Sequence, residues 1–134
     1  MIRISMQVPS DLELVQEAIE AVADQCLACG LAAHQVEFSL RVALGEALQN
    51  AIIYGNRLDP EKIVDLRVHM GARKVEVFVQ DEGDGFDPTS VPDPTLPDRL
   101  ECEDGRGLFL IRNLVDHVSF NDQGNSICMV LHRA

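Results

Sequence analysis

Two segments of this chain, IVDLRVHM ending at Met70 and KVEVFVQ beginning at Lys74, alternate apolar and polar residues on either side of Gly71-Ala72-Arg73. Period-two alternation around a short turn predicts an antiparallel hairpin with one apolar face. A sheet that is hydrophobic on one side is stable only when another layer packs on it. The rest of the chain must therefore supply a layer with a matching apolar face.

Residues 2 to 8, IRISMQV, alternate and carry β-branched side chains, which predicts a further strand. Ser10 followed by Glu13 reads as a capping box that opens a helix over about residues 11 to 28. Along it Leu12, Val15, Ala18, Ile19, Val22 and Ala23 recur at helical spacing, and Gly30 can end it. From His34 to Tyr54 there is no proline. Val36, Leu40, Ala43, Ala47 and Ala51 keep a helical period there, with Gly55 as the stop signal.

Between Asp84 and Asp104 stand Pro88, Pro92, Pro94 and Pro97, several acids and little hydrophobic periodicity. A structureless stretch of roughly twenty residues in a compact domain is uncommon and usually functional, so about residues 86 to 104 read as an active-site lid. LFLIRNLVDHV returns to helical spacing after Gly107, and VSFND and SICMVLHR predict a last pair of strands around Gln123-Gly124-Asn125. The order is strand, two helices, two strands, lid, helix, two strands. It implies a single α+β domain over residues 1–134, a two-layer sandwich in which a largely antiparallel sheet packs on helices.

Composition narrows the partners. Of 134 residues 46% are hydrophobic, enough for one buried core, while 22 acidic against 11 basic residues give a net charge of −11. Such a surface repels phosphate backbones and anionic lipid, so neither nucleic acid nor a membrane is expected as a partner. A nucleotide ligand would need local attraction from backbone N–H groups, a few placed cations or a metal ion. No stretch approaches the roughly 18 to 20 apolar residues of a membrane span, and MIRISMQVPS lacks the pattern of a signal peptide. The expected location is the cytoplasm. Cys26 and Cys29 lie in CLACGL without a second Cys or His pair, and Cys102 and Cys128 stand alone, which favours buried thiols in a reducing compartment over a zinc site.

Three motifs carry chemistry. In LGEALQNAIIYGN, Glu46 and Asn50 stand four apart, so a helix presents a carboxylate and a carboxamide together on one face. An Asn oxygen suits a hard cation such as Mg2+, which takes phosphates as further ligands, and Glu can serve as a base. In VFVQDEGDGF, Asp81 ends an apolar strand ahead of Gly83 and Gly85. A carboxylate so placed can accept a hydrogen bond from an exocyclic amine, and the glycines allow close backbone approach. Gly105-Arg106-Gly107 precedes LFLIRNLVDHV, and a glycine-rich turn leading into a helix aims N–H groups at an anion such as phosphate. The histidines His34, His69, His117 and His132 are scattered and read as structural or surface groups, and Tyr54 reads as core.

The ordered trio GEALQNAIIYGN, DEGDGF and GRGLFLI resembles the N, G1 and G2 boxes of the GHKL ATPases, the group that includes gyrase and histidine kinases, over about residues 40 to 120. Within that group the wording and length look most like the bacterial anti-sigma factor serine/threonine kinases. These switch proteins phosphorylate a STAS-type anti-anti-sigma partner and sequester a sigma factor. The resemblance implies ATP and Mg2+ as ligands, Glu46 as general base, and Asn50 as the Mg2+ ligand. It implies Asp81 on the adenine amine, Gly83 and Gly85 shaping the base pocket, and Gly105, Arg106 and Gly107 on phosphates.

A homodimer is expected in this family's pattern, with exposed apolar positions of the first strand and first helix as candidate contacts. Phe109 departs from the pattern by standing where a third glycine is usual, and is expected to pack within the helix. Glu101, Glu103 and Asp104 beside the phosphate turn are a second departure. No phosphoacceptor domain precedes the motifs, which argues against a complete histidine kinase. The competing reading is a nucleotide-dependent sequestrator without kinase activity. Intact Glu46 and Asn50 favour catalysis over it.

Overall fold

A computed structural model describes residues 1–83 and 103–134, the latter with side chains from residue 107 onward. Five strands form one antiparallel sheet: β1 (Ile2–Pro9), β2 (Ile63–Met70), β3 (Lys74–Gln80), β4 (His117–Phe120) and β5 (Ser126–His132). Their spatial order is β1-β2-β3-β5-β4. The hairpin has Met70 opposite Val75 and Leu66 opposite Val79, so the apolar positions of both strands share one face. Val64, Leu66, Val68, Val75, Val77, Val79, Met129 and Leu131 are buried there.

Among the described residues three helices cover that face: α1 (Val15–Ala28), α2 (Arg41–Asn50) and α3 (Glu103–Leu114). The two-layer α+β arrangement read from the sequence is the one observed. Val36, Leu40, Ala43, Ala47 and Ala51 all point into the core. The segment around α2 is longer than the α-helix itself, because Gln35–Leu40 before it and Ala51–Gly55 after it adopt π geometry. A π turn accommodates one extra residue per turn and often marks a functional site.

Three local expectations are corrected. Asp11, not Ser10, caps the first helical turn: its Oδ1 accepts the Glu13 N–H at 2.9 Å. The Ser10 hydroxyl is instead buried and donates to the Lys62 carbonyl at 2.7 Å, a tertiary partner that outcompetes the local one. Leu12 lies in a 3-10 turn ahead of α1 and is exposed, because the tighter turn rotates it off the apolar stripe that begins at Val15. The third helix begins at Glu103 rather than after Gly107. Two acidic residues, Glu103 and Asp104, favour a helix N-terminus electrostatically, so helix starts before the glycines. The proposed lid otherwise falls outside the described residues.

Candidate functional site

Glu46 and Asn50 project from one face of α2, both half-buried, and α3 packs across the same helix. The contact is made by Gly107. A Cβ at that position would stand 3.0 Å from Asn50 Nδ2 and 3.1 Å from Glu46 Oε2. With no side chain there, the α3 backbone reaches the carboxylate and carboxamide without displacing either. Arg106 and Gly105 lie one and two residues earlier on the helix backbone, in its first turn. The Glu-Asn pair and the glycine-rich helix start, far apart in sequence, are thereby brought together.

The second half of the site forms where the helical segment ends at Gly55 and β3 has just finished. The Asp81 N–H donates to the Asn125 carbonyl at 2.9 Å, and Asp81 Oδ1 accepts the Gly83 N–H at 2.7 Å. Its carboxylate lies on Gly55, so closely that a Cβ on Gly55 would overlap Cγ and Oδ2. A Cβ on Gly83 would likewise overlap the Gly55 carbonyl oxygen. The two glycines make a seam at which backbone meets backbone. Burial pushes the Asp81 carboxyl above its ordinary range, opposed by the Gly83 N–H and by the charge of Lys62. Gly85 falls outside the described residues.

This donor set bears on the metal. Among the described residues no cluster of three His, Cys, Asp or Glu side chains could hold an ion by itself. An isolated carboxamide oxygen beside a carboxylate fits Mg2+ that draws most of its ligands from phosphates and water. Among the described thiols Cys26, Cys29 and Cys128 are free, and burial raises the Cys26 thiol to about 11.

Sequence reasoning missed Asn56. It is fully buried, its Oδ1 accepts the Glu82 N–H at 2.7 Å, and its Nδ2 donates to Ser10 Oγ and to the Ile63 carbonyl. The signal was an amide directly after the helix-ending Gly55, at the last position of GEALQNAIIYGN. Two aromatic expectations also change. Tyr54 is 41% exposed rather than core, and Phe109 is 42% exposed, because Leu108 and Ile111 take the inward face of α3 and turn residue 109 outward.

Comparison with known proteins matches this geometry to a family. The model of the histidine kinase-like ATPase domain matches residues 8–131. The serine-protein kinase RsbW of Oceanobacillus iheyensis is 28% identical, over 95% of this chain and 84% of that protein. RsbW of Bacillus subtilis (strain 168) is 30% identical, over 94% and 82%. The anti-sigma F factor of Geobacillus stearothermophilus is 32% identical over 64% of this chain and 60% of its own length. Among solved structures, the mycobacterial sensor histidine kinase MprB superposes with a TM-score of 0.54 at 16% identity, covering 97% of this chain and 98% of that one, which is a likeness of fold. With three motifs in order, the same two layers and a family match over nearly the whole chain, this protein belongs to the histidine kinase-like ATPase family.

Proposed function

We propose that this protein is an ATP-dependent serine/threonine kinase and anti-sigma factor that phosphorylates a STAS-type anti-anti-sigma partner and otherwise holds a sigma factor. The observation that carries the reading is the meeting of Glu46 and Asn50 with the backbone of Gly107, in a chain whose relatives include proteins named serine-protein kinase. Phosphoryl transfer asks little covalent chemistry of a protein and depends on positioning and charge neutralisation.

Each residue has a task in this scheme. Glu46 takes the proton from the acceptor hydroxyl as its oxygen bonds to the γ-phosphorus and the bond to ADP breaks. Asn50 supplies a neutral oxygen to Mg2+. The ion, when bound, neutralises charge on the phosphates. Asp81 accepts a hydrogen bond from the adenine amine, with Gly83 and Gly85 leaving room for the base. Gly105, Arg106 and Gly107 face the phosphates from the start of α3, where helix geometry favours anions.

The 134 residues act as one cytoplasmic domain without nucleic acid or membrane as partner. No helix of the described residues is long and apolar enough to cross a membrane. The chain is proposed to form a homodimer through Ile2 on β1 and Leu12 and Leu27 at α1, which are 47%, 43% and 39% exposed.

The test is mass spectrometry of a STAS partner after incubation with Mg-ATP. One added phosphoryl group that survives acid is expected, and its loss in Glu46→Ala with nucleotide binding retained. An acid-labile phosphate would mark a histidine acceptor instead, and an unchanged rate in Glu46→Ala would remove that residue from the role of base.

A further inference from the structure

Asn56 is the most deeply buried polar side chain among the described residues, and all the hydrogen-bonding capacity of its NH2 group is used. Oδ1 accepts the Glu82 N–H at 2.7 Å, and Nδ2 donates to Ser10 Oγ at 2.9 Å and to the Ile63 carbonyl at 3.0 Å. The Ser10 hydroxyl in turn donates to the Lys62 carbonyl at 2.7 Å, and Glu82 Oε2 closes the ring by accepting the Ile63 N–H at 2.6 Å. The Asn56 N–H donates back into the helix, to the Ala51 carbonyl at 2.7 Å. Bonds of this kind enforce one another, because a buried amide left unpaired is strongly disfavoured.

Four parts of the molecule meet at this one carboxamide: the end of the helix carrying Glu46 and Asn50, the start of β2, the corner between β1 and α1, and the residue directly after Asp81. The orientation of the amide is set by its partners, since the Glu82 N–H requires oxygen and the Ile63 carbonyl requires nitrogen. Across the seam itself, Gly55 and Gly83 touch Asp81 and each other without side chains. Asn56 adds a directional bond from the helix end to the loop that carries Asp81.

We propose that Asn56 is a positioning residue for nucleobase selection: by gripping the Glu82 main chain it sets the Asp81 carboxylate at the height where an adenine amine can be met. The inference rests on Asp81 as the adenine acceptor. Asn56 itself touches no nucleotide. Its effect is to keep the loop from lifting off Gly55, so its loss is felt first in discrimination between bases.

The experiment compares binding of Mg-ATP with binding of purine riboside triphosphate, which lacks the 6-amino group, by calorimetry. Wild type is expected to prefer ATP by about tenfold, the worth of one well-placed hydrogen bond to a charged group. Asp81→Ala should remove the preference, and Asn56→Ala should bring it close to unity. A purely structural role would lower the folded fraction and weaken both nucleotides by the same factor, leaving the ratio intact. If Asp81→Ala abolishes the preference and Asn56→Ala keeps it, the inference fails alone. If Asp81→Ala keeps it, the Asp81 reading fails and takes the inference with it. Where Asn56→Ala is too unstable to assay, Asn56→Leu fills a similar volume without an oxygen for the Glu82 N–H; a reduced ratio supports the inference and a wild-type ratio overturns it.

Discussion

The Asp81 carboxylate rests on Gly55, at the point where the helix bearing Glu46 and Asn50 gives out and β3 has just ended. Strand and helix approach this closely because neither Gly55 nor Gly83 has a side chain. The site is therefore sensitive to the smallest possible additions.

Gly55→Ala sets two effects against each other. Alanine is favoured over glycine in a helix by about 1 kcal/mol, whereas overpacking a tight contact costs about 1–3 kcal/mol. The overlap with Asp81 is severe, so a net loss of roughly 1 kcal/mol is expected from these magnitudes. ATP affinity should fall with it as the carboxylate is displaced. Thermal melting and calorimetry on the same sample check both.

At Gly107 the balance reverses. The nearest atoms a methyl there would meet are side-chain ends, Asn50 Nδ2 at 3.0 Å and Glu46 Oε2 at 3.1 Å, which can give by a few tenths of an ångström. Helix propensity then dominates, and Gly107→Ala should be unchanged or more stable by about 0.5–1 kcal/mol. Phosphoryl transfer should nonetheless drop by about tenfold or more, since small misplacements of reacting groups are costly. A higher melting temperature with a lower transfer rate is the expected signature.

Asp81 makes stability depend on pH with a definite sign. Burial raises its carboxyl above the ordinary range, so over the interval between the ordinary and the raised value the folded state holds a proton that the unfolded state has released. Stability from this group is complete below the ordinary carboxylate range and falls as pH rises through the raised folded value. Asp81→Asn keeps an oxygen for the Gly83 N–H and should melt above wild type at neutral pH, with the gap closing as pH falls toward about 4. A gap that widens on acidification would contradict the burial argument.

Arg133 ties distant parts of the fold from the end of the chain. Its Nη1 donates to the Gly71 carbonyl and its Nη2 to the Cys29 carbonyl, each at 3.0 Å, bridging the β2–β3 turn and the end of α1. Arg133→Ala is expected to cost about 1.5–3 kcal/mol, the range for hydrogen bonds to a charged group. Lysine should restore only part of this, because an ammonium lacks the planar fork that reaches two carbonyls at once. Urea unfolding of the three proteins measures it.

What the sequence determined by itself is periodic or local. Alternation in IVDLRVHM and KVEVFVQ specified the hairpin, the stripe from Val36 to Ala51 specified the covering helix, and the spacing of Glu46 and Asn50 put both on one helix face. These features repeat with the geometry of the backbone, so they survive in a linear string. The tertiary structure decided the rest. Ser10 gave up its capping role because folding brought the Lys62 carbonyl, 52 positions away, within reach of its hydroxyl. Asn56 became a hub because folding brought Glu82 within 2.7 Å across 26 positions. Gly55 looked like a helix stop and proved to be the floor beneath Asp81. The reason is common to all three: a short-range hydrogen bond or a steric fit depends on where two distant segments come to rest, and no local periodicity encodes that distance.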